Sequence, residues 1–224
     1  ALLKLSCSEP VSGLLNVSFA ETRGEGKDIK LKTGDIKSTL SESDKGLDIS
    51  YSKAVLSQIA QENRLKLNDE EADTPVLNGA EILSASSLIP ILSSAQTILD
   101  YIKQGEFKGE SFVTYMDKQV RILDFALPLE SFIDDKKTRG YVNKFQGSYQ
   151  VLIDDDGTPL ETRRSYSGKG SAYIFFSMTA ESQITSQFQI QGTRLVRINK
   201  TVESNSSSTF NDRTYTGRWQ LAIH

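Results

Sequence analysis

Apolar and polar positions alternate along most of the chain, and helical spacing interrupts the alternation in one central stretch. Leu15, Val17 and Phe19 alternate with polar residues until Thr22-Arg23-Gly24-Glu25-Gly26 breaks the run. Ile29, Leu31 and Thr33 follow, then Ile36, Ser38 and Leu40, with Gly34-Asp35 between them as an expected bulge or turn. Leu47, Ile49 and Tyr51 form a third alternating set. A period of two with one apolar face predicts half-buried antiparallel strands.

Ser52 is a predicted cap for a helix with Val55, Leu56, Ile59 and Ala60 on one face. Asn68 to Asn78, acidic and containing Pro75, reads as a solvated loop. Ile82 to Leu99 then carries no charge at all. Its serines, Gln96, Thr97 and Pro90 make it too polar for a membrane span, and Glu81 and Asp100 bracket it. Leu88, Ile91, Leu92, Ala95, Leu99 and Ile102, widened by Ile98, predict a core helix. Pro90 would lie in its first turn after a Ser86 or Ser87 cap, and Gly105 at its end.

The remainder reads as sheet. Phe112 to Tyr115 and Val120 to Leu127 predict a hairpin around Asp117-Lys118, and Ser131 to Lys144 a short helix and loop. Tyr149, Val151 and Ile153 lead through Asp154-Asp155-Asp156-Gly157 to Leu160, Thr162, Arg164 and Tyr166, a second hairpin. Ala172, Ile174, Phe176 and Met178 share one phase, which Ile184, Phe188 and Ile190 continue. Gln191-Gly192-Thr193 turns the chain toward Val196, Ile198 and Val202, and Ser204 to Ser208 reads as a loop before Tyr215, Gly217, Trp219, Leu221 and Ile223. The fold class expected is α+β, mainly antiparallel β. It forms a single domain over residues 1–224 with a helical insertion at roughly 52–104: one core helix and one or two smaller ones.

Composition narrows the chemistry. Hydrophobic residues at 38% and charged residues at 25% supply an ordinary globular core. The one His is His224 and the one Cys is Cys7, so neither a His-dependent nucleophile system nor a His/Cys zinc site is available, and no internal disulfide can form. A net charge of −3 gives no basic excess for nucleic acid, and pairs such as Arg163-Arg164 read as solvated strand faces. Ala1 in place of an initiator Met predicts removal of an upstream segment. Lys4 spoils the match of Leu2 to Cys7 with a lipoprotein signal, so Cys7 reads as an ordinary residue.

The short motifs have plain readings. Asp154-Asp155-Asp156 lies between strands rather than helices, which favours a hairpin tip over a calcium loop. Ser50-Tyr51-Ser52-Lys53 and Lys32-Thr33-Gly34 imitate a penicillin-recognising serine enzyme, in the wrong order. Gly24-Glu25-Gly26-Lys27 and Gly168-Lys169-Gly170-Ser171 lack phosphate-loop spacing, and Asn16, Asn199 and Asn205 open sequons that decide nothing. Glu62, Glu70, Glu81, Asp100, Glu110 and Asp124 are free to form a carboxylate pair, with no basis for choosing two. No cofactor is expected.

The hairpin from Tyr149 to Glu161, an aromatic-aliphatic strand ending in Asp, a Gly turn and Pro159-Leu160, resembles one in the LolA-like group of periplasmic lipoprotein carriers and envelope sensors. Phe19-Ala20-Glu21-Thr22-Arg23 is compatible with the first strand of that group. The resemblance implies an open, strongly curved antiparallel sheet, a half-barrel, with helices plugging its concave face. It carries over no binding residue individually. The leading expectation is a non-enzymatic, exported or periplasmic protein, with a cytoplasmic location as the alternative. It would hold a lipid or the acyl chains of a lipoprotein between sheet and helix. Leu88, Ile91, Leu92, Ile174, Phe176, Phe188 and Trp219 are the candidate lining. The alternatives are a filled core with an exposed patch for an envelope protein partner, and a hydrolase with converging acids.

Overall fold

A computed structural model describes residues 9–25, 28–172 and 176–224. Three strands open it: β1 (Val11–Arg23), β2 (Lys30–Ser43) and β3 (Gly46–Ser50). Four helices follow: α1 (Lys53–Asn68), α2 (Pro75–Glu81), α3 (Ala85–Leu92) and α4 (Ser94–Gln104). Then come β4 (Glu106–Tyr115), β5 (Lys118–Leu127), a 3-10 turn (Leu129–Ser131) and α5 (Lys136–Arg139). The chain closes with β6 (Val142–Ile153), β7 (Pro159–Ala172), β8 (Phe176–Gln191), β9 (Arg194–Ser208) and β10 (Asn211–Ile223). All ten strands join one open antiparallel sheet in the order β3-β2-β1-β10-β9-β8-β7-β6-β5-β4. The last strand therefore pairs with the first, and β3 and β4 are left as edges.

Alternation sets the inward face. Val11, Leu15, Val17, Ile36, Leu40 and Leu221 are buried on one side of β1, β2 and β10, under α2 and α3. Phe125, Leu127, Tyr149, Val151 and Ile153 of β5 and β6 form a second buried group with Ile98 of α4. β2 runs through Gly34-Asp35 without the expected bulge, Phe19 facing Gly34 and Ser18 facing Asp35 in unbroken register. The unbroken phase buries Ile36 and Leu40 and leaves Leu31 68% exposed on the other side. Gly34 serves close approach instead: a Cβ there would lie 2.0 Å from Phe19 Cε1. Gly34→Ala is accordingly expected to cost about 1–3 kcal/mol, the usual range for overpacking a core, read as a lowered urea midpoint.

The helical insertion differs from its expected form. Pro75 begins α2 rather than sitting in a loop, since its missing N–H is harmless in a first turn. Glu62, buried on α1, accepts a hydrogen bond of 2.7 Å from Leu77 N–H in that first turn and one of 3.3 Å from Gln58. On α1 itself Val55 and Ile59 reach the core while Leu56 and Ala60 are exposed. Glu62→Ala leaves a buried N–H unpaired and should cost about 1–3 kcal/mol. Thermal unfolding would check it, with Glu62→Gln expected to lose less.

The predicted core helix is two helices. Ser84, not Ser86 or Ser87, caps α3 in a reciprocal capping box with Ser87, and Pro90 lies inside it. Ser93 ends α3 and α4 starts at Ser94, whose hydroxyl donates to the Pro90 carbonyl at 2.8 Å, the bond a continuing backbone would have supplied. Gly105 ends α4 as expected. No single helix among the described residues is long and apolar enough to cross a membrane. α2 and α3 together have the length and composition, but they are bent by 75° and bury Val76, Leu88, Ile91 and Leu92 in the core.

The hairpins stand near their expected places. Met116 and Asp117, at φ 48° and 63°, make the β4–β5 turn, one residue ahead of Asp117-Lys118. Asp154 N–H donates to Thr158 and Asp156 accepts from Thr158 N–H, so the triple Asp is turn scaffold. Ser204 to Ser208 is not a loop but the end of β9, and the chain turns at Thr209-Phe210. The apparent single phase through Ala172, Phe176 and Met178 is divided between β7 and β8. Ile174 and the Leu2 to Cys7 segment lie outside the described residues.

Candidate binding cavity

Between α3, α4 and the inward face of β6 to β10 lies a cavity of about 240 Å³. At about 30 Å³ per liquid water that is room for roughly eight waters, or for one slender ligand segment. Strand register builds its floor. Trp219 of β10 faces Lys200 of β9, Lys200 faces Ser186 of β8, and Ser186 faces Thr162 of β7. Ile184, Arg164 and Tyr149 form the next row. Pro90, Ser94, Thr97, Ile98 and Tyr101 supply the helical wall.

A β-bulge brings one further cation inside. Residues 197 and 200 are three apart and would point to opposite faces of a regular strand. The β8–β9 register skips Ile198: Gln187 faces Asn199, and Phe188 faces Arg197. The extra residue reverses the phase, so Arg197 and Lys200 share the inward face with Phe188 and Ser186. Arg163 and Arg164, read together as solvated, part company. Arg163 bonds Glu161 at 2.7 Å on the other face, while Arg164 enters the cavity.

Three cations therefore meet there. Arg164 donates to the Tyr101 hydroxyl, and its guanidinium carbon stands 4.7 Å from the Tyr101 ring centre and 5.3 Å from that of Phe132. The Lys200 ammonium lies 4.5 Å over the Trp219 ring. Arg197 Nε is sealed from solvent without a hydrogen-bond partner. Burial pushes Lys200 down to about 8, helped by the positive charges of Arg197 and Arg164. Burial likewise brings Arg197 down to about 10 and lowers Arg164.

The expected lining divides. Phe188 and Trp219 line the cavity. Leu88, Ile91 and Leu92 are packed into the core beside it. Phe176 stacks on Phe210 at 6.1 Å near the opposite end of β8. The cations were missed because their charge gives no clue to facing. Only the bulge, invisible in the sequence, turns Arg197 inward.

The carboxylate candidates are dispersed. Glu62 holds α2, Glu81 pairs with Lys32 and Lys66, Asp100 accepts from Gln96, Glu110 pairs with Arg121, and Asp124 accepts from Gln150. Glu70 borders a groove that also holds Lys30, Lys32 and Lys66. Among the described residues no three His, Cys, Asp or Glu side chains are grouped to hold a metal. A larger depression of about 700 Å³ spans the far ends of β6 to β10, and Lys144, Lys169 and Arg213 there alternate with Glu181 and Asp212. It is open and of mixed charge. No family model, curated protein or solved structure matches this chain.

Proposed function

We propose that the protein is a non-enzymatic binding protein of the bacterial cell envelope, holding a lipid or acyl chain between the sheet and helices α3 and α4. In this reading the sheet is a curved half-barrel and the two helices are its plug, as the LolA-like resemblance implies. The observation that carries it is the cavity itself, bounded by both layers and walled by Phe188, Trp219, Ile184, Ile98 and Tyr101. Aromatic and aliphatic walls with a few polar groups are the usual make-up of a small-molecule site. Its size favours one chain or one end of a ligand over a whole diacyl lipid.

Native mass spectrometry of protein purified without detergent, followed by solvent extraction, tests this directly. A co-purifying lipid or acyl species is expected. An apo mass that stays unchanged after incubation with lipids would overturn the reading. One observation favours an envelope interaction module instead. Among the described residues edge strand β4 pairs only with β5, and it exposes Phe107 and Phe112, the latter by 68%.

A further inference from the structure

We propose that the ligand carries a phosphate-type anion, seated in the cavity among the guanidinium groups of Arg164 and Arg197 and the ammonium of Lys200. This rests on the binding reading above and specifies the ligand that reading leaves open.

The charge pattern of the molecule argues for it. Elsewhere on the sheet Arg163 has Glu161, Arg194 has Glu42 and Arg213 has Glu21, while Arg218 is exposed to water. Among the described residues no ion pair reaches Arg164, Arg197 or Lys200; Tyr101 and Trp219 offer them π faces and one hydroxyl. Gathering three like charges out of water without a counter-charge destabilises the fold. Cation–π contacts offset part of that cost and neutralise nothing. An anion removes it. Guanidinium groups match phosphate oxygens in pairs, and an ammonium adds a point charge. Arg197 Nε is a sealed donor still without an acceptor.

The remaining walls fix what the anion is attached to. Phe188, Ile184 and Trp219 leave apolar surface beside the cations, which suits a phosphate on a short alkyl or acyl chain. Three cations in a cavity of this size do not fit a nucleic acid, which needs an extended basic track.

Calorimetric titrations at pH 7 with octyl phosphate, octanol and inorganic phosphate separate the possibilities. Octyl phosphate is expected to bind at least tenfold more tightly than octanol, and more tightly than inorganic phosphate. Lys200→Met and Arg197→Met, each checked for folding by circular dichroism, should each bring the ratio of octyl phosphate to octanol affinity down toward one. Equal binding of octyl phosphate and octanol, or an advantage untouched by both variants, would overturn the anion site and leave the binding reading standing. Inorganic phosphate as tight as octyl phosphate would support the anion site and overturn the lipid reading. No binding of any probe would overturn both.

Discussion

Leu92→Ala is expected to lower stability by about 2–5 kcal/mol, the range for emptying a buried leucine site. Leu92 is 1% exposed and sits at the end of α3, in the cluster that joins the helices to β1, β2 and β10. Little nearby can collapse into the vacated space. Leu15 is held by strand pairing on both sides and Ile36 by pairing with Val17, and Ser93 ends the helix at the next residue. Urea unfolding should show a lower midpoint with an unchanged slope, because the surface exposed on unfolding stays the same. A loss under about 1 kcal/mol, below the range for such cavities, would mean that α3 is not docked on the sheet.

Lys200→Met should do the opposite at neutral pH. Lys200 ionises near 8 in the folded chain instead of 10.5. Between those values the unfolded chain binds a proton that the folded chain does not, so stability rises with pH across the window. Below about pH 8 the folded protein bears the full cost of the buried charge, at most roughly 3 kcal/mol for a shift of this size. Methionine removes the charge and retains most of the volume. The variant is therefore expected to be more stable than the parent at pH 7, with the gap closing toward pH 10. The charged groups facing Lys200 are Arg197 and Arg164, both cations, and the neighbouring Trp219, Thr97 and Ser94 do not titrate. Denaturant titrations of both proteins at pH 7 and 9.5 read the effect, since burial holds the neighbouring Tyr149 hydroxyl well above that range. A gap that is constant with pH would show that Lys200 is not desolvated.

The strands were legible because a sheet with one buried face writes a period of two into its sequence. Leu15, Val17, Ile36 and Leu40 needed no tertiary information. β9 beyond Val202 was not legible: Ser204 to Ser208 has no apolar phase, and it is held in the sheet by backbone pairing with β8 and β10 on either side. The stripe from Leu88 to Ile102 gave helix correctly and missed the break. The break depends on a serine hydroxyl taking the place of a backbone N–H, a choice that leaves the hydrophobic spacing intact. For the site, Phe188 and Trp219 could be read as inward, whereas Arg164, Arg197 and Lys200 look like any solvated strand charges. Their facing is a property of register.

That makes the site unusually sensitive to counting. Its charge depends on Ile198 being present as one extra residue of β9 opposite β8, not on what that residue is. An in-frame deletion of a single codon there would restore a regular ladder and turn either Arg197 or Lys200 outward, with every charged residue still in the protein. Many substitutions at the same codon would leave both in place. Among any descendants of this gene, chain length between Phe188 and Trp219 is then a better marker of an intact site than the identity of the residues in between.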